Sequence, residues 1–241
     1  MKSKKSKKVT KIPSSIVLDN GTEYLSSTYE ITDLPVHLKF ENLPKSFIHK
    51  TQRIVEEIEA DPKQAIKKLL VLKEEFPDVP KLYNYLANAY SRAGNFALAR
   101  QITIENYTKN PEYLFAKINY AQICLIEGSF YEIPRIFNNT FDLKMIYPDR
   151  KKFHISEFAG FTGILIAYYC CINDKKLAEQ WYQSLINVAP DSDMVRFAKR
   201  FLHPSLFRRI MNWLGKKKSQ SNKTSNQLNQ KQITDDSELN T

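Results

Sequence analysis

The amino-acid sequence repeats itself at an interval of 34 residues, and this interval limits the possible folds more than any other feature. Glycine, proline and alanine each recur at this spacing, in the pairs Gly94 and Gly128, Pro77 and Pro111, and Ala65 and Ala99. A fixed period of this length is typical of arrays in which every repeat is one pair of helices. Because a single pair cannot bury its apolar face, the pattern predicts several stacked pairs that share one core.

The best-formed repeat unit spans residues 80–113. Its first half has apolar residues at helical spacing, namely Tyr83, Leu86, Ala87 and Tyr90. A tight turn follows at Gly94-Asn95-Phe96. The second half contains Ala99 and ends on Pro111. Three further units can be aligned with it, at residues 46–79, 114–147 and, after an insertion at 148–158, 159–192. Ile133 and Met145 stand where the unit after the best-formed one should have its alanine and its proline.

This pattern resembles the tetratricopeptide repeat (TPR) family, in which large apolar, small, aromatic and proline residues occupy these positions. The resemblance covers residues 46–192 and implies an all-α fold, a right-handed superhelical array of TPR-like helix pairs with a C-terminal capping helix and basic tails. In this register the turn glycines adopt a left-handed conformation. The aromatic residues of the repeats are assigned to the core, namely Tyr83, Tyr90, Tyr120, Tyr169 and Phe96.

The ends of the chain differ from the repeats. Residues 13–45 are expected to form an extended segment, with a small hairpin at Asp19-Asn20-Gly21, packed against the first repeat. Residues 1–12 form a basic tail and residues 219–241 form a polar tail, and both are expected to be disordered. Residues 193–218 are expected to contain the capping helix followed by a basic amphipathic helix.

The basic amphipathic helix is predicted at residues 205–218. With 100° between successive residues of a helix, one face of this segment is apolar and the other is basic. The residues that we assign to contacts with a membrane or a partner helix are Leu206, Phe207, Arg208, Arg209, Ile210, Trp213, Leu214 and Lys216. The segment either continues the cap of the array, or binds an anionic membrane surface or the groove of a partner protein.

The net charge of +10 does not by itself predict nucleic-acid binding, because the basic residues are concentrated near the ends. Residues 1–11 hold six lysines, residues 196–218 hold eight basic residues, and neither segment contains an acid. The rest of the chain has 22 basic and 26 acidic residues and is therefore mildly acidic. This distribution argues against a folded nucleic-acid-binding surface.

The sequence contains no motif for catalysis, a cofactor or a metal. Its six glycines are dispersed, so there is no phosphate-binding loop, and its four histidines lie far apart. The three cysteines, Cys124, Cys170 and Cys171, fit no zinc spacing and are expected to be small buried residues in a reducing compartment. The longest apolar run has 12 residues from Phe161, too few to span a bilayer. We therefore expect a non-catalytic cytoplasmic protein, held at a membrane surface at most.

The TPR resemblance implies that a peptide or protein segment binds in the concave groove, which the first helix of each pair lines. Carried over by position, the peptide-binding candidates are Lys81, Asn84, Asn88, Ser91, Phe115, Ile118, Asn119 and Gln122. Asn88 and Asn119 match two asparagines with which one TPR subfamily clamps a C-terminal carboxylate. The basic partners of that clamp are missing, because Asn84, Gly160 and Ile164 stand in their places, and so no carboxylate clamp is predicted.

Three functions are compatible with these features. The first is a protein–protein interaction adaptor or scaffold with a peptide in its groove, and it is the one we expect. The second is an assembly factor or chaperone tethered to a membrane surface by the basic amphipathic helix. The third is a regulatory subunit whose tails contact nucleic acid. The number and size of the repeats also resemble those of the repeat chaperones of bacterial secretion systems, which are usually shorter and lack long basic ends.

Overall fold

A computed structural model describes residues 10–11, 15–17, 23–25, 29–34, 36 and 43–204. The predicted amphipathic helix at 205–218 and the predicted polar tail at 219–241 lie outside these residues. The predicted basic tail also lies outside them, apart from Thr10 and Lys11, which form a short strand. The described part is mostly helical, which confirms the all-α class.

Ten α-helices account for most of the described residues. They are α1 (Lys45–Ala60), α2 (Pro62–Glu75), α3 (Pro80–Arg92), α4 (Phe96–Lys109), α5 (Leu114–Ile126), α6 (Ile133–Ile136), α7 (Leu143–Ile146), α8 (Ile155–Cys171), α9 (Lys175–Val188) and α10 (Asp193–Leu202). The short strands are β1 (Thr10–Lys11), β2 (Ser15–Val17), β3 (Glu23–Leu25), β4 (Glu30–Thr32) and β5 (Lys152–His154). A 3-10 helix at Phe130–Glu132 directly precedes α6.

Polar caps and left-handed turns determine where the helices begin and end. The side chains of Asp61, Asn95 and Asp174 accept hydrogen bonds from backbone N–H groups in the first turns of α2, α4 and α9. Gly94 and Gly128 follow α3 and α5 with φ angles of 78° and 80°, the left-handed conformation that the repeat pattern predicts. Glycine adopts this conformation without strain because it has no Cβ atom.

Consecutive helices pack side by side. From α1 to α5 each helix contacts the next, α8 packs on α9, and α10 packs on both. The first helices of successive units also contact one another, since α3 touches α1 and α5, and α5 touches α8. Ala65, Ala99 and Ala178 occupy matching positions of the second helices, where they are buried and allow neighbouring backbones to approach closely.

The unit at 114–147 lacks the continuous second helix that the repeat pattern predicts. After the 3-10 helix and α6, Asn138 and Asn139 have positive φ angles of 54° and 55°, which end the helix after four residues. The short helix α7 then follows separately. Apolar side chains of this stretch still fill the core, namely Ile133, Ile136, Phe137 and Leu143. The unit therefore contributes these four buried residues to the core without a regular second helix.

The strands β1 and β4 of the N-terminal segment join β5 in the insertion, whereas Leu43 at its other end packs on the core of the first two units, in the region where the sequence predicts contact. β4 pairs in parallel with β5, with Ile31 opposite Phe153, and β1 pairs antiparallel with β4. Tyr29 makes an edge-to-face contact with Phe153, with ring centroids 5.1 Å apart. The prediction is wrong for these two strands, because the expected insertion loop contains β5, whose edge pairs with β4. β2 pairs antiparallel with β3, on either side of the residues where the hairpin is predicted.

Burial supports most of the predicted core and overturns one assignment. Tyr83 is fully buried, and Tyr90, Tyr120 and Tyr169 are half-buried against the core clusters. Phe96, in contrast, is 71% exposed. It is the first residue of α4 and follows the exposed turn residues, so no neighbouring element covers its ring in the described part.

Candidate functional site

The helices α3 and α5 carry the residues that the TPR resemblance marks for peptide binding. We define the α3/α5 face as Lys81, Asn84, Asn88, Ser91, Phe115, Asn119 and Gln122. Lys81 and Asn88 are exposed, and the other five side chains are half-buried. Within each helix these residues are spaced three or four apart, which places them on one side of the helix. Because α3 and α5 contact each other, the two rows lie next to each other.

Ile118 does not belong to this face, contrary to the prediction from the sequence. Its side chain is only 3% exposed and packs toward α8. A Cβ atom on Gly160 would lie 3.1 Å from Ile118 Cδ1, so the missing side chain at Gly160 allows α5 and α8 to approach at this point. Ile118 is therefore a packing residue between two helices.

Four asparagines form a connected hydrogen-bond network beneath the α3/α5 face. Asn106 of α4 is 1% exposed, and its Nδ2 donates to the Pro80 carbonyl oxygen at 3.2 Å and to Asn84 Oδ1 at 2.9 Å. Asn119 Nδ2 donates to the same Asn84 oxygen at 3.0 Å. Asn110 Nδ2 donates to Asn106 Oδ1 at 2.9 Å. The network joins α3, α4 and α5 through these asparagine side chains and the Pro80 carbonyl group.

The Pro80 carbonyl group determines the direction of these bonds, because a carbonyl oxygen can only accept. Asn106 must present its amide nitrogen to α3, so Asn84 Oδ1 is an acceptor and Asn119 is a donor. The Oδ1 atom of Asn119 then remains as an acceptor, and no donor among the described residues meets it. The α3/α5 face therefore presents a carbonyl oxygen in a fixed orientation.

Asn84 also forms a hydrogen bond with Tyr113, immediately before α5. Burial raises the pKa of the Tyr113 hydroxyl well above its ordinary value, so this group is neutral at physiological pH. The sequence analysis missed Tyr113, Asn106 and Asn110. Two asparagines four residues apart at the end of one helix are a signal that could have identified part of the network.

A cavity of about 960 Å³ adjoins this face at the end where α3, α5 and α8 begin. It shares Pro80, Asn110 and Tyr113 with the asparagine network, and the residues from α7 to β5 form its other wall. Lys109 and Lys152, which also line the cavity, form ion pairs with Glu105 and Glu30 outside it. These cavity lysines are thus already engaged by acids of the same chain.

Arg150 and the buried Glu157 form an ion pair at the edge of this cavity, and their side chains are 18% and 2% exposed. Arg150 Nη1 lies 3.0 Å from Glu157 Oε1, and Nη2 lies 2.7 Å from Oε2. Glu157 also accepts the backbone N–H of His154 at 2.9 Å, and the guanidinium group lies 4.2 Å from the centre of the Phe153 ring. The sequence analysis missed this pair because both residues fall in the stretch assigned to an insertion. The pair holds β5 against the start of α8.

The histidine, serine and cysteine side chains that could take part in catalysis have contacts in the described region that serve the fold. His154 Nδ1 and Ser156 Oγ are 2.6 Å apart, but Nδ1 also accepts the Ser156 backbone N–H, so this contact caps α8. Burial raises the pKa of the Cys170 thiol to about 11, which disfavours the reactive thiolate at neutral pH. Cys124 is buried, whereas Cys170 and Cys171 are half-buried.

Within the described ranges, His, Cys, Asp and Glu side chains do not gather in groups of three or more that could hold a metal ion. No helix in these ranges is both long enough and apolar enough to cross a membrane.

The substitution Asn106→Ala is expected to lower the free energy of unfolding by about 1–3 kcal/mol, because the Pro80 carbonyl and Asn110 lose their buried partner. Urea denaturation of the full chain measures this loss. The exposed Asn88→Ala on α3 is the matched control and should change the free energy by less than about 0.5 kcal/mol. Equal losses in the two variants would show that the network does not stabilise the fold.

The chain matches no protein-family model, and no curated protein sequence matches it. Any function is therefore inferred from the residues and contacts of this chain itself. The α3/α5 face, with the asparagine network beneath it, is the best-defined surface for a ligand.

Proposed function

We propose that the protein is a non-catalytic protein–protein interaction adaptor, and that a peptide or protein segment binds across the α3/α5 face. In this proposal the helix pairs form a TPR-like, right-handed superhelical array, and α10 caps its last pair. The contacts that join α1, α3, α5 and α8 in succession support the array. The observation that carries the binding proposal is the asparagine network, which holds Asn84 and Asn119 in fixed orientations.

Prior ordering of these side chains favours binding. An amide that is already fixed by the protein loses little rotamer freedom when a ligand arrives, whereas a mobile side chain loses about 0.5–1.5 kcal/mol. The Asn119 Oδ1 atom is placed to accept one of the backbone N–H groups that an extended peptide carries at regular intervals. Lys81 is partly ordered as well, since its Nζ atom lies 5.5 Å from the centre of the Tyr85 ring.

The composition of the face indicates what kind of segment it suits. Lys81 is the one charged residue among the seven that define it, and Phe115 adds an aromatic surface. Recognition by charge is therefore a minor part of the proposal. Hydrogen bonds from fixed amides and one apolar contact favour a segment of mixed polar and apolar side chains, bound mainly through its backbone.

The double substitution Asn88→Ala with Asn119→Ala tests the proposal. Loss of two hydrogen-bonding side chains, at about 1 kcal/mol each, should reduce recovery of the bound protein at least roughly tenfold. Affinity purification of the full chain, followed by quantitative mass spectrometry, measures the recovery. Thermal denaturation shows whether the double variant remains folded.

The matched control is Asn187→Ala, which removes an exposed asparagine from α9, away from the α3/α5 face. It should leave recovery of the partner unchanged. If the folded double variant recovers the same proteins in the same amounts as the unmodified chain, the binding site lies elsewhere and the proposal is wrong.

A further inference from the structure

A groove of about 540 Å³ runs between α1 and α2, and we call it the α1/α2 groove. Its basic lining residues are His49, Lys50 and Arg53 of α1 and Lys68 of α2. The hydroxyl group of Ser46 and the 58% exposed side chain of Val71 also line it. None of the described residues that line the groove is acidic. Its charged side chains therefore all have the same sign.

The α1/α2 groove lies on the side of the first helix pair that faces away from the rest of the array. On α1, Glu59 points toward α3, where its Oε1 atom lies 2.6 Å from Arg92 Nη2. On α2, Lys73 points toward α4, where its Nζ atom lies 2.8 Å from Glu105 Oε2. With 100° between successive residues, the groove residues lie across the buried rows of α1 and α2 from these contacts. The groove is therefore separate from the α3/α5 face.

The basic residues of the groove differ in how far acids of the same chain neutralise them. Lys68 Nζ lies 2.7 Å from both carboxylate oxygens of Glu57, so its charge is paired. Lys50 Nζ lies 3.9 Å from Glu75 Oε2, beyond hydrogen-bond distance, and both side chains are more than half exposed. Arg53 is exposed and has no hydrogen-bond or ion-pair partner among the described residues. The groove therefore presents an unpaired guanidinium group one helical turn from a weakly paired ammonium group.

The length of the groove suits a short extended segment better than a single ion. Ser46 and Arg53 are separated by about two turns of α1, which corresponds to about 10 Å along the helix. An extended peptide covers this distance with about three residues. Val71 adds an apolar contact to the charged groups. The groove thus fits a segment that carries both acidic and apolar side chains.

We propose that the α1/α2 groove binds an acidic segment of a partner protein. One carboxylate of the segment pairs with Arg53, because a guanidinium group can donate two parallel hydrogen bonds to a carboxylate. A second carboxylate lies near Lys50, and an apolar side chain of the segment packs on Val71. This binding site is independent of the peptide site proposed for the α3/α5 face.

A second copy of the chain suits this groove less well. Repeat arrays extend by stacking end to end, which would place α10 of one copy against α1 and α2 of the next. The exposed charged residues of α10 are mostly basic, namely Asp193, Arg196, Lys199 and Arg200. Basic side chains would then face the basic groove, and like charges disfavour such a contact.

Carbodiimide coupling of the full chain to an acidic peptide tests the proposal. The reagent joins a lysine amine to a carboxylate that is held next to it, and the probe is an acetylated hexapeptide of alternating glutamate and leucine. Mass spectrometry of the digested product identifies the lysines that carry the probe. We expect about tenfold more probe on Lys50 than on Lys175 of α9 or Lys199 of α10, which are exposed and have no acidic partner among the described residues.

Arg53→Gln should lower coupling at Lys50 about tenfold, because the probe loses the charged hydrogen bonds of the guanidinium group. The matched control is Lys199→Gln, which removes an exposed base of α10 and should leave coupling at Lys50 unchanged. Circular dichroism shows whether both variants remain folded. A hexapeptide of alternating glutamine and leucine, added at the concentration of the probe, should not reduce the coupling.

Three results would overturn the proposal. Lys50 could carry no more probe than Lys175 and Lys199, which would show attraction by net charge alone. Coupling at Lys50 could be unchanged in the folded Arg53→Gln variant. Inorganic phosphate at the concentration of the probe could prevent the coupling, which would show a site for a free anion.

Discussion

Replacing Arg150 by methionine is expected to lower the free energy of unfolding by about 3–5 kcal/mol, the usual effect of leaving a buried charge without its partner. Glu157 is 2% exposed, and the two hydrogen bonds from Arg150 satisfy both of its carboxylate oxygens. Methionine keeps an unbranched apolar side chain near the Phe153 ring. The loss of stability therefore measures mainly the effect of removing the positive charge from beside Glu157. For a chain of this size the midpoint of thermal denaturation should fall by roughly 10 °C.

Two further variants separate the ion pair from other effects. Arg135→Met removes an arginine whose pair with Glu132 is largely exposed, and it should change stability by less than about 0.5 kcal/mol. Arg150→Met combined with Glu157→Gln removes both charges of the pair and should recover a large part of the lost stability. If the double variant is no more stable than Arg150→Met alone, the unpaired carboxylate is not the cause of the loss.

The helix pairs could be predicted because their signals are local. Gly94 and Gly128 each determine a turn by their own backbone conformation, and Ala65 and Ala99 are buried where the 34-residue interval places them. The irregular half of the unit at 114–147 was not predicted. There the helix ends at Asn138 and Asn139, and asparagine is compatible with both helical and left-handed backbone, so the residue type alone does not decide between them.

The long-range contacts could not be predicted, because their two halves are far apart in the sequence. β4 and β5 pair across more than a hundred residues, and no local pattern at Glu30 indicates that its partner strand is Lys152–His154. In the candidate site, too, local signals could be predicted from the sequence and long-range contacts could not. Helical spacing placed Asn84 and Asn119 on one face, but their hydrogen bonds depend on Asn106, which comes from a different helix.

The aromatic residues of the best-formed unit provide the second strong prediction. Tyr83→Ala is expected to lower the free energy of unfolding by about 3–5 kcal/mol, since it leaves a large cavity in the core around α2 and α3. Tyr83 is fully buried, its hydroxyl donates to the Pro77 carbonyl oxygen at 2.9 Å, and Lys73 Nζ lies 4.7 Å from the ring centre. Tyr83→Phe, which removes the hydroxyl alone, should lower the free energy of unfolding by about 1 kcal/mol.

Phe96→Ala is the matched control, because it truncates an aromatic residue of the same repeat unit that is exposed instead of buried. It should change stability by less than about 0.5 kcal/mol, as is usual for an exposed position. Urea denaturation of the three variants gives the free energies on one scale. The repeat pattern alone assigns both aromatics to the core and so predicts similar losses for Tyr83→Ala and Phe96→Ala. A loss at Phe96 equal to that at Tyr83 would contradict the packing described here, whereas a difference of several kcal/mol would show that burial decides the role of each aromatic.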